Sequence, residues 1–203
     1  MRYTSEDYLK ETLFYSFARR ILICIGKAVF RVSYEGRENV PEKGGVVLAG
    51  NHSSYLDWLL HITALKRPVH FMGKVELYQG KFPWVMKEMG IIPVDRSIHD
   101  REAMRTAMEG LVKGKVIGIF PEGTINRTED TVMPFKFGAV RMAALTKCPV
   151  VPFTITGKFR PFRRGPVLTF YPPIYPEGED LTGYNEQLTE VVRSNLEIRR
   201  NSK

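Results

Sequence analysis

Apolar runs alternate along the chain with segments whose apolar residues recur at helical spacing. The runs are short and bounded by polar or turn-forming residues, a pattern typical of buried β-strands. They cover residues 46–50, 69–74, 91–95, 116–120, 150–156 and 165–174. Helices are expected over residues 55–66, 82–89, 100–112, 138–147 and 185–200. Strands and helices that alternate in this way predict an α/β domain.

The segment of residues 13–32 is apolar but interrupted by basic side chains. The interruptions are Arg19, Arg20, Lys27 and Arg31. A membrane-spanning helix needs about 20 predominantly apolar residues, and a central arginine costs it a few kcal/mol. A helix or helix pair lying in the membrane interface, with its cations at the lipid headgroups, suits the segment better. Packing on the protein core is the alternative for the same residues.

The chain carries a formal net charge of +8, which implies attraction to polyanions such as nucleic acid or anionic lipid. Its 203 residues suit one domain of ordinary size. Cys24 and Cys148 belong to no CxxC pair or Cys/His array, so neither a disulfide framework nor a structural zinc site is expected. The lack of a disulfide framework predicts that the protein works in a reducing cytoplasm. We recognise no secretory signal peptide, which disfavours secretion.

His52 and Asp57 are the pair with the clearest chemical meaning, in the run Asn-His-Ser-Ser-Tyr-Leu-Asp at residues 51–57. A carboxylate bonded to one imidazole nitrogen fixes the tautomer and lets the other nitrogen act as a general base. On one helix the two side chains would point about 140° apart, at about 100° per residue. We therefore expect His52 on the loop after the strand and Asp57 in the first turn of the next helix. A helix cap beside a surface acid is the alternative.

Further motifs follow the ends of the later strands. They are Gly-Ile-Ile-Pro-Val-Asp-Arg at residues 90–96, Phe-Pro-Glu-Gly-Thr at 120–124 and Val-Val-Pro-Phe at 150–153. Together with the His52 motif, and in this order, they make the chain resemble the glycerolipid acyltransferase family, most closely its lysophosphatidate acyltransferase branch. The likeness covers residues 39–174. It implies one α/β catalytic domain, residues 36–203, with a mixed sheet flanked by helices, and an amphipathic membrane-interfacial helical extension, residues 1–35.

This resemblance implies transfer of a fatty acyl group from a thioester to the free sn-2 hydroxyl of 1-acyl-glycerol 3-phosphate, giving phosphatidate for phospholipid biosynthesis. His52 would be the general base and Asp57 would orient it. The donor would be acyl-CoA or acyl carrier protein, and no metal ion or other cofactor is implied. Glycerol 3-phosphate or another lysophospholipid is the alternative acceptor. A non-catalytic basic lipid-binding protein on the same fold is the alternative function.

The resemblance also suggests which residues bind the acceptor. Arg96 would bind its phosphate, because a guanidinium offers a planar fork of donors. A surface ion pair between Arg96 and Asp95 is the alternative. Glu122, Gly123 and Thr124 would position the acceptor, with Glu122 either contacting the glycerol hydroxyls or organising the loop. Backbone amides near Gly123 would stabilise the oxyanion. A plain tight turn at residues 121–124 is the alternative.

One position departs from the family pattern. Ile125 stands where the family usually has an arginine after Phe-Pro-Glu-Gly-Thr, so an expected phosphate donor is missing. Arg127 and Lys136 follow closely and are the candidates for substrate binding in its place. The departure leaves the reaction class unchanged and opens the question of the acceptor.

The remaining features are less specific. His61, His70 and His99 are explained by packing or exposure, and no HExxH or comparable ligand cluster indicates a metal site. A serine hydrolase is disfavoured because the GxSxG nucleophile elbow is missing. The run at residues 158–164 mixes cations with aromatics, which suits lipid headgroups or a solvated loop, and no nucleic-acid motif accompanies it. We expect a peripheral or monotopic protein on the cytoplasmic face of the cell membrane, in contact with anionic lipid.

Overall fold

The central sheet is mixed, as expected, in the computed structural model, which describes residues 4–98 and 100–201. Within these residues its strands are β1 (Ser33–Glu35), β2 (Val46–Gly50), β3 (Val69–Lys74), β4 (Ile92–Val94), β5 (Val116–Ile119), β6 (Val150–Thr156) and β7 (Val167–Phe170). They lie in the order β1-β7-β6-β2-β5-β3-β4. The predicted ranges of β2, β3 and β6 are confirmed, and β4, β5 and β7 are shorter than predicted. The apolar pattern did not predict β1.

Helices cover both faces of the sheet, as the resemblance implied. They are α1 (Ser5–Leu9), α2 (Leu13–Ala28), α3 (Asp57–Ala64), α4 (Pro83–Glu88), α5 (Arg101–Val112), α6 (Gly138–Thr146) and α7 (Thr182–Asn201). The helices expected after residue 36 are confirmed, with ends shifted by a few residues. Asp100 sets the start of α5, because its side chain accepts a hydrogen bond from the N–H of Ala103 at 2.9 Å.

The strands are buried on both faces because they are apolar at consecutive positions. In β2, Val46 and Leu48 belong to the core on the side of α2 and α3. Val47 and Ala49 belong to the core on the opposite side, with α1, α5, α6 and α7. The sheet thus separates two layers of helices.

The parallel strands bring the motifs together at one edge of the sheet. β6, β2, β5, β3 and β4 run parallel, whereas β7 is antiparallel to β6. In such a sheet the carboxyl ends of parallel strands meet at the same edge, where ligands commonly bind. His52 follows β2, Glu122 follows the neighbouring β5, and Arg96 follows β4. Residues that are distant in sequence therefore share one site.

The amino-terminal extension is helical as expected, but part of it packs on the catalytic domain. Tyr8 and Leu9 of α1 are buried in the core. Arg19 of α2 donates to the carbonyls of Ile62 and Leu65 at 2.9 and 2.7 Å. The expectation that Arg19 lies at lipid headgroups is therefore wrong, because its guanidinium satisfies backbone carbonyls at the carboxyl end of α3. The last residues of the predicted extension form β1 and join the sheet.

One face of α2 remains exposed to solvent. Leu13, Phe17, Ile21 and Ile25 recur every four residues along it, and each is at least 42% exposed. Residues at this spacing lie on one side of a helix. In the described part of the chain, no helix combines the length and apolarity that crossing a membrane requires.

Candidate active site

The loop between β2 and α3 brings His52 and Asp57 into contact. Nδ1 of His52 lies 3.0 Å from Oδ2 of Asp57. Asp57 is the first residue of α3 and is fully buried, whereas 13% of the His52 side chain is exposed. With Asp57 as the acceptor, the imidazole proton resides on Nδ1, and Nε2 carries the lone pair that can take a proton. The expected arrangement of a loop histidine and a first-turn carboxylate is present.

Further donors hold the Asp57 carboxylate in place. The N–H groups of Ser53 and Ser54 donate to Oδ2 at 2.6 and 2.8 Å. The hydroxyl of Ser53 lies 3.3 Å from each carboxylate oxygen. Asp57 is therefore neither a surface acid nor free to rotate away from His52.

Glu122, in the turn after β5, fixes the backbone of the His52 loop. Its Oε1 accepts from the N–H of His52 at 2.7 Å, and its Oε2 accepts from the N–H of Met133 at 2.9 Å. Burial raises the pKa of the Glu122 carboxyl, and the two N–H donors act in the opposite direction. The Glu122 carboxylate thus joins the loop that contains His52 to the segment that contains Met133. Direct contact between Glu122 and a substrate stays a prediction.

Two asparagines that the sequence reasoning missed hold the same loop. The Asn51 side chain donates to the carbonyl of Ile155 at 3.0 Å and accepts from its N–H at 2.7 Å, which extends the β2–β6 pairing. The N–H of Asn126 donates to the carbonyl of His52 at 2.9 Å. The position of Asn51 directly before His52 was the signal that could have identified it.

Two cationic side chains meet at Gly123. The Arg96 guanidinium donates to the Gly123 carbonyl. Nζ of Lys136 lies 3.0 Å from the point where a β-carbon on residue 123 would stand. Gly123 has a φ of 75°, which favours glycine, and a side chain there would also displace Lys136. The turn therefore brings together two of the predicted phosphate-binding residues.

The alternative ion pair between Arg96 and Asp95 is absent from the described residues, and the Gly123 amide is already hydrogen-bonded. The Asp95 carboxylate accepts from the N–H and hydroxyl of Ser97, at 2.9 and 2.6 Å, and forms no ion pair with Arg96 there. The N–H of Gly123 donates to the Phe120 carbonyl at 2.9 Å. That amide is thus occupied within the turn and is not free to donate to an oxyanion in this arrangement.

Thr124 and Arg127 lie on the exposed side of the same region. The Arg127 guanidinium donates to the Tyr55 hydroxyl at 3.4 Å, which joins the loop after β5 to the loop before α3. Binding of substrate by Thr124 or Arg127 stays a prediction.

His61 and His70 are packed in the interior, as expected. Burial lowers the pKa of each to about 4. Nδ1 of His61 bonds the carbonyl of Asp57 at 3.1 Å, and Nδ1 of His70 bonds that of Tyr8 at 3.0 Å. His99 lies outside the described residues. In residues 4–98 and 100–201, no group of three His, Cys, Asp or Glu side chains is arranged to hold a metal ion.

Known proteins resemble this chain over the residues that form the site. A family model described as Acyltransferase matches residues 31–156. The chain is 35% identical over 147 residues to a 1-acyl-sn-glycerol-3-phosphate acyltransferase of Bacillus subtilis, with 70% of this chain and 71% of the relative covered. It is 32% identical over 186 residues to the protein of the same name from Borreliella burgdorferi, with 87% and 74% covered. The crystal structure of PlsC, the 1-acyl-sn-glycerophosphate (LPA) acyltransferase of Thermotoga maritima, matches with a TM-score of 0.70 at 26% identity, covering 96% of this chain and 86% of that one.

Proposed function

The chain belongs to the acyltransferase family, and from that premise we propose that it acylates the sn-2 hydroxyl of 1-acyl-glycerol 3-phosphate to give phosphatidate. The observation that carries the proposal is the 3.0 Å contact between Nδ1 of His52 and Oδ2 of Asp57, which leaves Nε2 as a base. The names of the relatives from B. subtilis and B. burgdorferi support this choice of acceptor.

The proposed reaction uses His52 first as a base and then as an acid. Nε2 takes the proton of the acceptor hydroxyl while the oxygen attacks the thioester carbonyl, and a tetrahedral oxyanion forms. The oxyanion collapses, the carbon–sulfur bond breaks, and the imidazolium gives its proton to the leaving thiolate. Asp57 orients the ring and stabilises its charged form between these steps. Because the proton and electron pairs come from His52 and the two substrates, the proposed steps need no metal ion or prosthetic group.

Arg96 and Lys136 are proposed to bind the acceptor phosphate. Both reach Gly123, and a phosphate there would meet a guanidinium fork and an ammonium. Ile125 supplies no cation, so Lys136 would provide the second positive charge from a later position in the chain. In this proposal Glu122 acts through the backbone of His52, while the exposed side chains of Thr124 and Arg127 would contact the acceptor.

The exposed face of α2 is proposed to lie in the interface of an anionic membrane, on its cytoplasmic side. Leu13, Phe17, Ile21 and Ile25 would enter the acyl region. At the carboxyl end of α2, the carbonyl of Val29 accepts from the N–H of Phe162, so the basic loop at residues 158–164 adjoins the helix. The exposed cations of that loop are Lys158, Arg160, Arg163 and Arg164. Each arginine near an anionic surface contributes about 1 kcal/mol of attraction.

An acceptor and donor panel tests the proposed reaction. Purified protein is supplied with lysophosphatidate, glycerol 3-phosphate or lysophosphatidylcholine, each with acyl-CoA and with acyl carrier protein, and kcat/KM is measured for every pair. We expect lysophosphatidate to be the best acceptor with at least one thioester donor. Preference for another acceptor would refute the proposed substrate, and no transfer with any pair would refute the proposed activity.

A further inference from the structure

Phe120 packs flat against the imidazole of His52. The two ring centroids are 4.0 Å apart and the ring planes differ by 11°. Phe120 directly follows β5 and is 9% exposed, so its ring is part of the core as well as of the site. The contact joins the ends of the neighbouring strands β2 and β5 through side chains.

Other aromatic rings fix Phe120 itself. Phe71 stacks on it with centroids 5.1 Å apart and an interplanar angle of 22°. Phe153 meets it edge-on at 5.9 Å, and His61 meets it edge-on at 6.2 Å. Close-packed interior side chains have little room to move. Phe120 is thus a firm surface for His52.

The hydrogen bond from Nδ1 to Asp57 does not by itself fix the orientation of the imidazole ring. A ring held at Nδ1 can still rock about the line to the carboxylate, and rocking moves Nε2, the atom that must reach the acceptor hydroxyl. A flat ring against one imidazole face blocks tilting toward that face, and the attraction between the stacked rings opposes tilting away from it. Productive proton transfer depends on a narrow range of geometry, and a displacement of about 1 Å can cost about a hundredfold in rate.

We infer that Phe120 is a positioning residue for the acyl transfer: its ring holds the imidazole of His52 in the orientation that presents Nε2 to the acceptor hydroxyl. The inference rests on the proposed function for the reaction and on the observed stack for the geometry. Phe120 touches no reacting atom in this account and acts through His52. The shape of the ring, rather than its volume or apolarity, is what the role requires.

Three variants separate the effect of ring shape from the effect of core packing. Phe120→Leu keeps an apolar side chain but removes the flat face, and Phe120→Tyr keeps the flat face. Phe170→Leu is the matched control, since it removes a ring of the same hydrophobic core that meets His61 edge-on rather than Phe120. Steady-state kinetics with lysophosphatidate and the Tm of each protein are measured, with assays run well below the lowest Tm.

We expect Phe120→Leu to lower kcat about tenfold or more with KM for lysophosphatidate nearly unchanged, since positioning acts on the chemical step. Phe120→Tyr should restore most of kcat. Phe170→Leu should lower the Tm, as Phe120→Leu does, and leave kcat within about twofold of wild type. Wild-type kcat in Phe120→Leu, or equal losses of kcat in Phe120→Leu and Phe170→Leu, would overturn the inference.

An NMR measurement keeps the test independent of the proposed activity. A phenyl ring stacked on an imidazole shifts the resonances of the imidazole protons upfield. We expect this shift at His52 in wild type and Phe170→Leu, and its loss in Phe120→Leu. If the shift is absent from wild type, the positioning inference fails. If it is present but no acceptor is acylated, the proposed function fails instead.

Discussion

Oε1 of Glu122 lies 2.7 Å from the backbone nitrogen of His52, so a carboxylate at the end of β5 fixes the loop that follows β2. The second oxygen of the same carboxylate holds Met133. The motif residue that looked like a substrate ligand is thereby bonded to two segments of the protein backbone. This arrangement ties the geometry of the base to the stability of the turn.

Glu122→Gln should destabilise the protein and lower kcat. The glutamine amide can accept from one backbone N–H, but its NH2 group then faces the other donor, which loses its partner. An unsatisfied buried N–H costs about 1–3 kcal/mol, measurable as a lower free energy of unfolding in urea. Normal stability combined with a higher KM for the acceptor would instead identify Glu122 as a direct substrate ligand.

Lys136→Met should weaken binding of the acceptor phosphate. A charged hydrogen bond contributes about 1.5–3 kcal/mol, so we expect KM for lysophosphatidate to rise about tenfold or more while kcat changes little. Lys113→Met is the matched control, because Lys113 is an exposed lysine at the carboxyl end of α5 and is not among the predicted substrate-binding residues. Equal changes in KM for the two variants would argue against a phosphate site at Lys136.

The exposed side of α2 should be needed for binding to anionic vesicles. Burying a large apolar side chain contributes about 1.5–3 kcal/mol, so the double variant Phe17→Ser, Ile21→Ser should bind more than about tenfold more weakly in a sedimentation assay. Its Tm should be unchanged, since both side chains are exposed. The double variant Val112→Ser, Leu145→Ser changes exposed apolar residues of α5 and α6, and its vesicle binding should match wild type. Equal losses in both double variants would remove α2 as the contact surface.

The free energy of unfolding should fall as the pH drops from about 6.5 to about 4. Burial lowers the pKa of His61 and His70 to about 4, from 6.5. Between these values the unfolded chain binds protons that the folded protein excludes, so each histidine contributes a slope of up to about 1.4 kcal/mol per pH unit. Urea titrations at several pH values should give a shallower slope for His70→Leu. An unchanged slope in that variant would contradict a buried neutral His70.

The sequence predicts those features that depend on neighbours along the chain. The consecutive apolar residues of β2 and β6 are enough to predict strands buried on both faces. His52 and Asp57 are only five residues apart, so a loop followed by a first helical turn can bring them into contact, and the order of the motifs favours this arrangement over a helix cap beside a surface acid. The contact of Glu122 with His52 joins residues 70 apart and depends on β2 and β5 being neighbours, which no local pattern encodes.

The prediction that Arg19 lies at lipid headgroups was wrong because its contacts also join residues that are distant in sequence. Its spacing among apolar residues correctly predicts a helix, but spacing does not reveal which group a side chain contacts. The carbonyls of Ile62 and Leu65 reach Arg19 only because α2 packs on α3. The stack of Phe120 on His52 was missed for a similar reason, since the hydrophobic pattern predicts Phe120 only as a core residue.

Asp57→Asn should lower kcat without unfolding the protein. An asparagine can accept from some of the donors around residue 57, but its amide cannot stabilise an imidazolium as a carboxylate does. We expect kcat to fall about a hundredfold or more, as for loss of an oriented general base. Circular dichroism checks the fold. A variant that retains kcat within about twofold of wild type would show that Asp57 does not support the base.

The kcat of His52→Ala for acyl transfer to lysophosphatidate tests the central claim most directly. His52 is the general base in this account, so its removal should lower kcat by about a hundredfold to ten-thousandfold, with a folded protein and vesicle binding like that of wild type. Acyl transfer by His52→Ala at a rate close to that of wild type would contradict it.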